Sequence, residues 1–329
     1  MKLPRTSDAA VKQILDSTRV YRAYARARKA SQQLPGSLFW KKVGSYEYLA
    51  RKVQGKVTYV GPRSAETARE FEEFKQKKAQ LQRRTRTLKE SVETCQRMNK
   101  AVRAGAVPTP VVEVLRQLEG AGLSEGSVVL GTSALFAYGQ PSGVRLDEVS
   151  SPVYGSVVED AKHHLQVLLE ASESAIKAAL PRLREVADAI VEVAPAGASG
   201  ERTCFLVEFE FGRQRDPVTY RAENACVHWR VLATEMATEF RQAGKFEQVV
   251  IGKTGTMATM RTLEPQFFAM LQHALAEVGP MTAQGPQVAQ CQAALVDSLI
   301  ADHLVVSMPP AAERRRALED VVQRVFASG

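Results

Sequence analysis

Cysteine is scarce and scattered in this 329-residue chain. Cys95, Cys204, Cys226 and Cys291 stand far apart with no paired spacing, which excludes a disulfide framework and a zinc-knuckle pattern and fits a reducing cytoplasm. Long apolar runs are missing, so no membrane span or membrane partner is expected, and residues 1–8 lack the apolar core of a signal peptide. Metal-ligand spacing is missing among the five histidines: His163 and His164 are adjacent and would diverge on a helix, and His228, His273 and His303 are isolated. Ser133 has no Gly-x-Ser-x-Gly elbow around it. Gly252-Lys253-Thr254 lacks the earlier glycine and the following helix of a phosphate loop, and reads as a hairpin turn.

Charge, by contrast, is plentiful and unevenly placed. Residues 1–105 hold 25 Lys/Arg against 9 Asp/Glu, while the remainder holds 19 against 27, and the whole chain carries +8. A basic third on an otherwise acidic chain points to a polyanion partner, nucleic acid (RNA or DNA), bound through phosphate neutralisation and counterion release. Within it, residues 8–33 read as a basic helix and residues 37–61 as two or three short strands separated by Gly44-Ser45 and Gln54-Gly55 turns. Trp40, Tyr46 and Tyr48 are interleaved there with Lys41, Lys42, Arg51, Lys52 and Lys56. Such a set either stacks bases and meets phosphates or supplies the core of a small meander, and one face for each task reconciles the two. Residues 64–104 then form a proline-free helix pattern with a seam through Phe74, Lys78, Leu81, Thr85, Leu88, Val92, Cys95, Asn99 and Val102. That seam packs on the neighbouring helix or pairs two subunits of a homo-oligomer.

After Val107-Pro108-Thr109-Pro110 the pattern changes to mixed strands and helices. The apolar run Val128-Val129-Leu130, then Gly131-Thr132-Ser133, then an apolar helix pattern through Tyr138, reads as a buried strand turning into a helix. Such a turn aims backbone N–H groups at an anion, and phosphate is the natural guest. Gly131, Thr132, Ala134 and Tyr138, followed by Gly143-Val144-Arg145, resemble the nucleotidyltransferase-fold proteins of the DNA polymerase β superfamily, and more narrowly a bacterial family with a basic N-terminal extension. Gly36-Ser37-Leu38-Phe39-Trp40-Lys41-Lys42, Tyr46-x-Tyr48 and Tyr59-Val60-Gly61-Pro62 resemble that extension. The resemblance covers most of residues 36–165, with a weaker echo to about residue 275.

The resemblance implies a nucleoside triphosphate at Gly131, Thr132 and Ser133, and two carboxylates on the next strand holding Mg²⁺ or Mn²⁺. At the family's spacing those two positions are Tyr154 and Ser156, and neither is a carboxylate. The following Val157-Val158-Glu159-Asp160-Ala161 supports the register. Lost catalysis, a slipped alignment and recruited ligands all explain the departure. Recruitment has a candidate in Glu208 and Glu210, which alternation places on one strand face opposite Phe205, Val207, Phe209 and Phe211, as metal ligands or as a solvated outer face. Further on, Pro265-Gln266-Phe267-Phe268-Ala269 resembles the family's Pro-x-x-Phe-Ala, but Gln272 stands where the family carries lysine.

These readings predict an α+β chain: basic helix and aromatic meander (1–63), long charged helix (64–105), nucleotidyltransferase-like mixed-sheet core (106–262) and helical C-terminal region (263–329). Within the core, helices are expected over 111–121, 134–138, 161–171 and 173–186, and strands over 127–130, 153–158, 190–193, 204–211 and the hairpin 246–261. The expected function is binding of a nucleoside triphosphate and of nucleic acid. Nucleotidyl transfer is one outcome, and a catalytically silent binding or regulatory module is the other.

Overall fold

Two long helices bracket a small sheet in the first third of the chain. In the computed structural model, which describes residues 3–148, 162–187, 189–199, 202–212, 236–278 and 285–302 with positions 316, 318, 320, 322 and 323 beyond them, α1 is Asp8–Gln32. It opens with Asp8 in its first turn and closes with Lys29 in its last, the order the helix dipole favours. Next come β1 (Ser37–Val43), β2 (Tyr46–Val53) and β3 (Lys56–Pro62), an antiparallel meander in the order β1-β2-β3. α2 (Ala65–Ala101) runs for 37 residues without proline or glycine. It starts on a reciprocal cap: the Thr67 N–H donates to Ser64 Oγ at 3.2 Å, and the Ser64 N–H donates to Thr67 Oγ1 at 2.9 Å.

The chain divides into two compact units, Leu15–Met98 and a second made of Met1–Ile14 with Asn99–Gly329. The second is built on a six-stranded mixed sheet. Its strands are β4 (Ser127–Leu130), β5 (His164–Ala171), β6 (Ala189–Ser199), β7 (Arg202–Glu210), β8 (Lys245–Ile251) and β9 (Met257–Leu263). Their order is β6-β7-β5-β4-β9-β8, with β4 and β9 parallel at Val129 and Thr262 and the other neighbours antiparallel. The helices are α3 (Thr109–Gly120), α4 (Leu135–Gly139), α5 (Glu173–Leu183), α6 (Ala237–Gln242), α7 (Pro265–Val278) and α8 (Gly285–Asp302). This is the α+β architecture expected, and among the described residues no helix is long and apolar enough to cross a membrane.

One expected helix is a strand. Residues 161–171 read as helix from their apolar run, but His164–Ala171 is β5, hydrogen-bonded between β4 and β7. Leu165, Val167, Leu168 and Leu169 are all buried because both faces of this central strand are covered, and a fully buried run carries neither the alternating nor the helical period. The strand expected at 153–158 lies outside the described residues.

α3 packs an apolar stripe of Val111, Val112, Val114, Leu115 and Leu118 into the core. Tyr138 sits at the centre of that core, wholly buried, with its ring 5.7 Å from Phe246 and 5.5 Å from Phe268. Its hydroxyl donates to the Leu263 carbonyl at 2.7 Å. Two details fix the β8 edge of the sheet. A side chain at Gly105 would collide with the Gly252 carbonyl, so only glycine lets the chain leave α2 along that edge. Gln140 donates its amide N–H to the Val249 carbonyl, and its Oε1 accepts from the Ile251 N–H at 3.0 Å.

Candidate functional site

β4 delivers Gly131 at the end of a fully buried strand, and Gly131 adopts φ +62°, a left-handed conformation that a side chain resists. Residues Gly131–Ala134 form a 3₁₀ turn that passes into α4. Both hydroxyls of the turn have partners within the protein. Ser133 is buried and donates to the His164 carbonyl at 3.3 Å, and Thr132 Oγ1 accepts from Gln292 of α8 at 3.2 Å.

The strand beside β4 places its own polar residues next to this turn. Leu130 pairs with Gln166, and Gln166 in turn pairs with Glu208 of β7, while His164 pairs with Glu210. Directly paired residues of antiparallel strands share a sheet face, so His164, Gln166, Glu208 and Glu210 form one polar cluster. Gln166, Glu208 and His164 are each more than nine-tenths buried. The Gln166 amide donates to Glu208 Oε1 at 2.7 Å, and His164 Nε2 lies 3.8 Å from Glu210 Oε1. Glu208 is therefore part of the interior, and the solvated-face alternative does not apply to it. Tyr154 and Ser156, together with Glu159 and Asp160, lie outside the described residues.

A divalent metal prefers several convergent carboxylate oxygens. Here Glu208 Oε1 accepts from the Gln166 amide, β5 offers histidine and glutamine on one side of β7, and β6 sets Glu192 in register with Glu208 on the other. Among the described residues no three His, Cys, Asp or Glu side chains are grouped to hold a metal. The side chains described in this cluster supply two carboxylates, Glu208 and Glu210, on the face that also holds Gln166 and His164.

Sequence reasoning passed over Gln166 and Gln292. The available signal was Leu165-Gln166-Val167, a polar residue set within a continuous apolar run, where burial requires a specific partner. His164 stands at the start of β5, where the sequence pattern predicts a helix. Gln272, at the position of the family's lysine, is buried on α7. Arg145, which closes the Gly143-Val144-Arg145 match, is engaged by Asp147 and Glu148 at 2.9 Å each.

Elsewhere in this unit, a cavity of about 200 Å³ is lined by Glu125, Glu170, Cys204, Arg241, Lys245 and Arg261 among others. Burial, and secondarily the Arg261 guanidinium, pull the Lys245 ammonium down to about 8. Its protons go to the Phe240, Arg241 and Ala243 carbonyls that end α6. Burial and then Glu170 push the Cys204 thiol up, the opposite of what a nucleophile needs.

In the basic unit, the register separates the candidate nucleic-acid residues into two groups. Trp40 and Arg51 share the face that meets α2, where Trp40 lies 5.7 Å from Phe71 and Arg51 stands over the Phe74 ring at 6.0 Å. Lys41, Tyr46, Tyr48 and Lys52 share the opposite face with Tyr59. Lys42 and Lys56 are exposed beside the two hairpin turns.

A mixed sheet entered through a strand, a tight glycine turn and a short helix defines a nucleotidyltransferase-type core. The family described as Nucleotidyltransferase matches residues 109–309, well over half of the chain, and the protein belongs to that family. Comparison with curated proteins and with solved structures returns no match.

Proposed function

We propose that this protein is a nucleotidyltransferase-family member that binds a nucleoside triphosphate at Gly131, Thr132 and Ser133 and engages nucleic acid through its basic first third, without metal-dependent transfer. The observation that carries the reading is the Gln166–Glu208 hydrogen bond at 2.7 Å, which gives one oxygen of the buried carboxylate beside the turn a partner within the protein. The backbone of the Gly131 turn supports anion binding, since a left-handed glycine followed by a 3₁₀ turn directs successive N–H groups to one side. The balance of 25 Lys/Arg against 9 Asp/Glu in residues 1–105 supports a polyanion partner.

An active transferase with Glu208 as metal ligand is the competing reading, favoured by the depth at which that carboxylate is buried. Incubation with labelled nucleoside triphosphates, RNA and Mg²⁺ or Mn²⁺ separates the two. The expected result is retention of nucleotide that is indifferent to chelator, with no label transferred. Label transfer that disappears in Glu208→Ala would overturn the proposal.

A further inference from the structure

The two faces of the β1–β3 sheet differ in what covers them. One is closed by α2 through Trp40, Leu49 and Arg51: Leu49 is fully buried, Trp40 packs on Phe71, and the Arg63 guanidinium lies over the Trp40 ring at 5.1 Å. The other carries Tyr46 at 67% exposure, Tyr59 at 50%, Val43 at 47% and Val57 at 39%. Of the seven large apolar side chains that are exposed among the described residues, five fall within residues 43–60. An apolar patch this concentrated marks a contact surface rather than ordinary surface scatter.

The chemistry of the patch selects the partner. Residues 37–63 contain six Lys/Arg and a single acid, Glu47, and Glu47 is paired with Arg63 on the α2 side. The tyrosine face therefore carries cations and no carboxylate. Lys41 holds its ammonium 5.1 Å from the Tyr59 ring centroid, and Tyr48 meets Tyr59 edge-on at 6.1 Å. An ammonium held over a ring puts a cation within one nucleotide's reach of a stacking face: a phosphate that draws the Lys41 amine aside frees the Tyr59 ring for its base. A protein partner rich in apolar side chains would gain nothing from Lys41 and Lys52, whereas a polyanion does.

We propose that this outward face is a stacking platform for single-stranded nucleic acid, with bases on Tyr46, Tyr48 and Tyr59 and phosphates at Lys41 and Lys52. It rests on the nucleic-acid reading above and narrows it to unpaired strands. Only an unpaired base can present its flat face to a ring standing on a sheet, because duplex bases are stacked on each other. Trp40 and Arg51 belong to the packing of the unit and lie outside the platform.

Fluorescence anisotropy of the full-length chain tests it, with labelled oligo-U, oligo-dT and a mixed-sequence duplex of equal length at several salt concentrations. Both single strands are expected to bind more tightly than the duplex, and their relative strength identifies RNA or DNA as the better source of the same chemistry. Tyr46→Ala and Tyr59→Ala should each weaken single-strand binding by about tenfold, while Tyr46→Phe and Tyr59→Phe, which keep the ring, should bind like the parent. Lys41→Ala with Lys52→Ala should flatten the salt dependence. Circular dichroism checks that the alanine variants fold, as exposed positions allow. Duplex binding equal to single-strand binding, or alanine variants that bind like the parent, would overturn the platform while leaving nucleic-acid binding standing. Failure of every oligonucleotide to bind at low salt would overturn the functional reading, and the platform with it.

Discussion

Tyr138 of the nucleotidyltransferase unit and Tyr46 of the basic unit are the same side chain under opposite conditions. Tyr138 is completely buried, its hydroxyl is bonded to the Leu263 carbonyl, and burial pushes its phenol well above the ordinary range against a smaller opposing contribution from Thr262. Tyr46 is two-thirds exposed. The contrast extends to the charged and polar residues. In the larger unit, polar side chains such as Gln166, Glu208, Gln272 and Gln292 are buried. In the basic unit most of the lysines and arginines face solvent. One unit has an interior that sets its chemistry, and the other has a surface that does.

Substitutions can sharpen or break this contrast. The largest effect is expected at Tyr138→Ala, which empties an aromatic site and should cost about 3–5 kcal/mol of stability by chemical denaturation. Tyr46→Ala should stay within about 0.5 kcal/mol of the parent. Equal losses at the two tyrosines would dissolve the distinction. Next, Glu208→Ala strands the buried Gln166 amide and should cost about 1–3 kcal/mol with or without Mg²⁺ in the buffer. A stability loss that appears only when Mg²⁺ is present would instead mark a metal ligand. Gly131→Ala forces a side chain into the left-handed conformation and should cost about 1–2 kcal/mol while weakening nucleotide retention.

The smallest effect is a pH dependence at Lys245. Its folded value, about 8, lies below that of the unfolded chain, so between pH 8 and pH 10 the unfolded state binds more protons at this amine and Lys245 contributes a rise in stability with pH, opposed by the raised Cys204 and Cys291 thiols. In a Tm-against-pH series Lys245→Met should fall more steeply than the parent across this window. Above pH 10 the raised Tyr138 phenol works in the other direction: the unfolded chain ionises first, and stability falls. Tyr138→Phe should remove that decline.

The parts legible in the sequence are those whose environment is one-sided. α1, α2 and the three strands of the meander show their periods because each turns one face to solvent, and Gly131 is marked by a glycine between an apolar strand and an apolar helix. β5 hides its period because it is covered on both faces. The pairing of Gln166 with Glu208 joins residues 42 apart, and that of Gln292 with Thr132 joins residues 160 apart. No local pattern encodes such partners. Alternation along β7 marks Glu208, but nothing local marks its amide partner on β5.

Gln140 carries a consequence for how the molecule behaves among its own copies. β8 ends the six-stranded sheet, and the outward Val249 carbonyl and Ile251 N–H are the kind of unsatisfied template on which a foreign strand can add. The Gln140 side chain has an amide with the same donor and acceptor as a peptide bond, and it occupies both groups at once. The Ala106 and Val107 N–H groups donate to the Ile251 carbonyl just beyond it, so a side chain and a short piece of main chain together cap the end of β8 where a seventh strand would begin to pair.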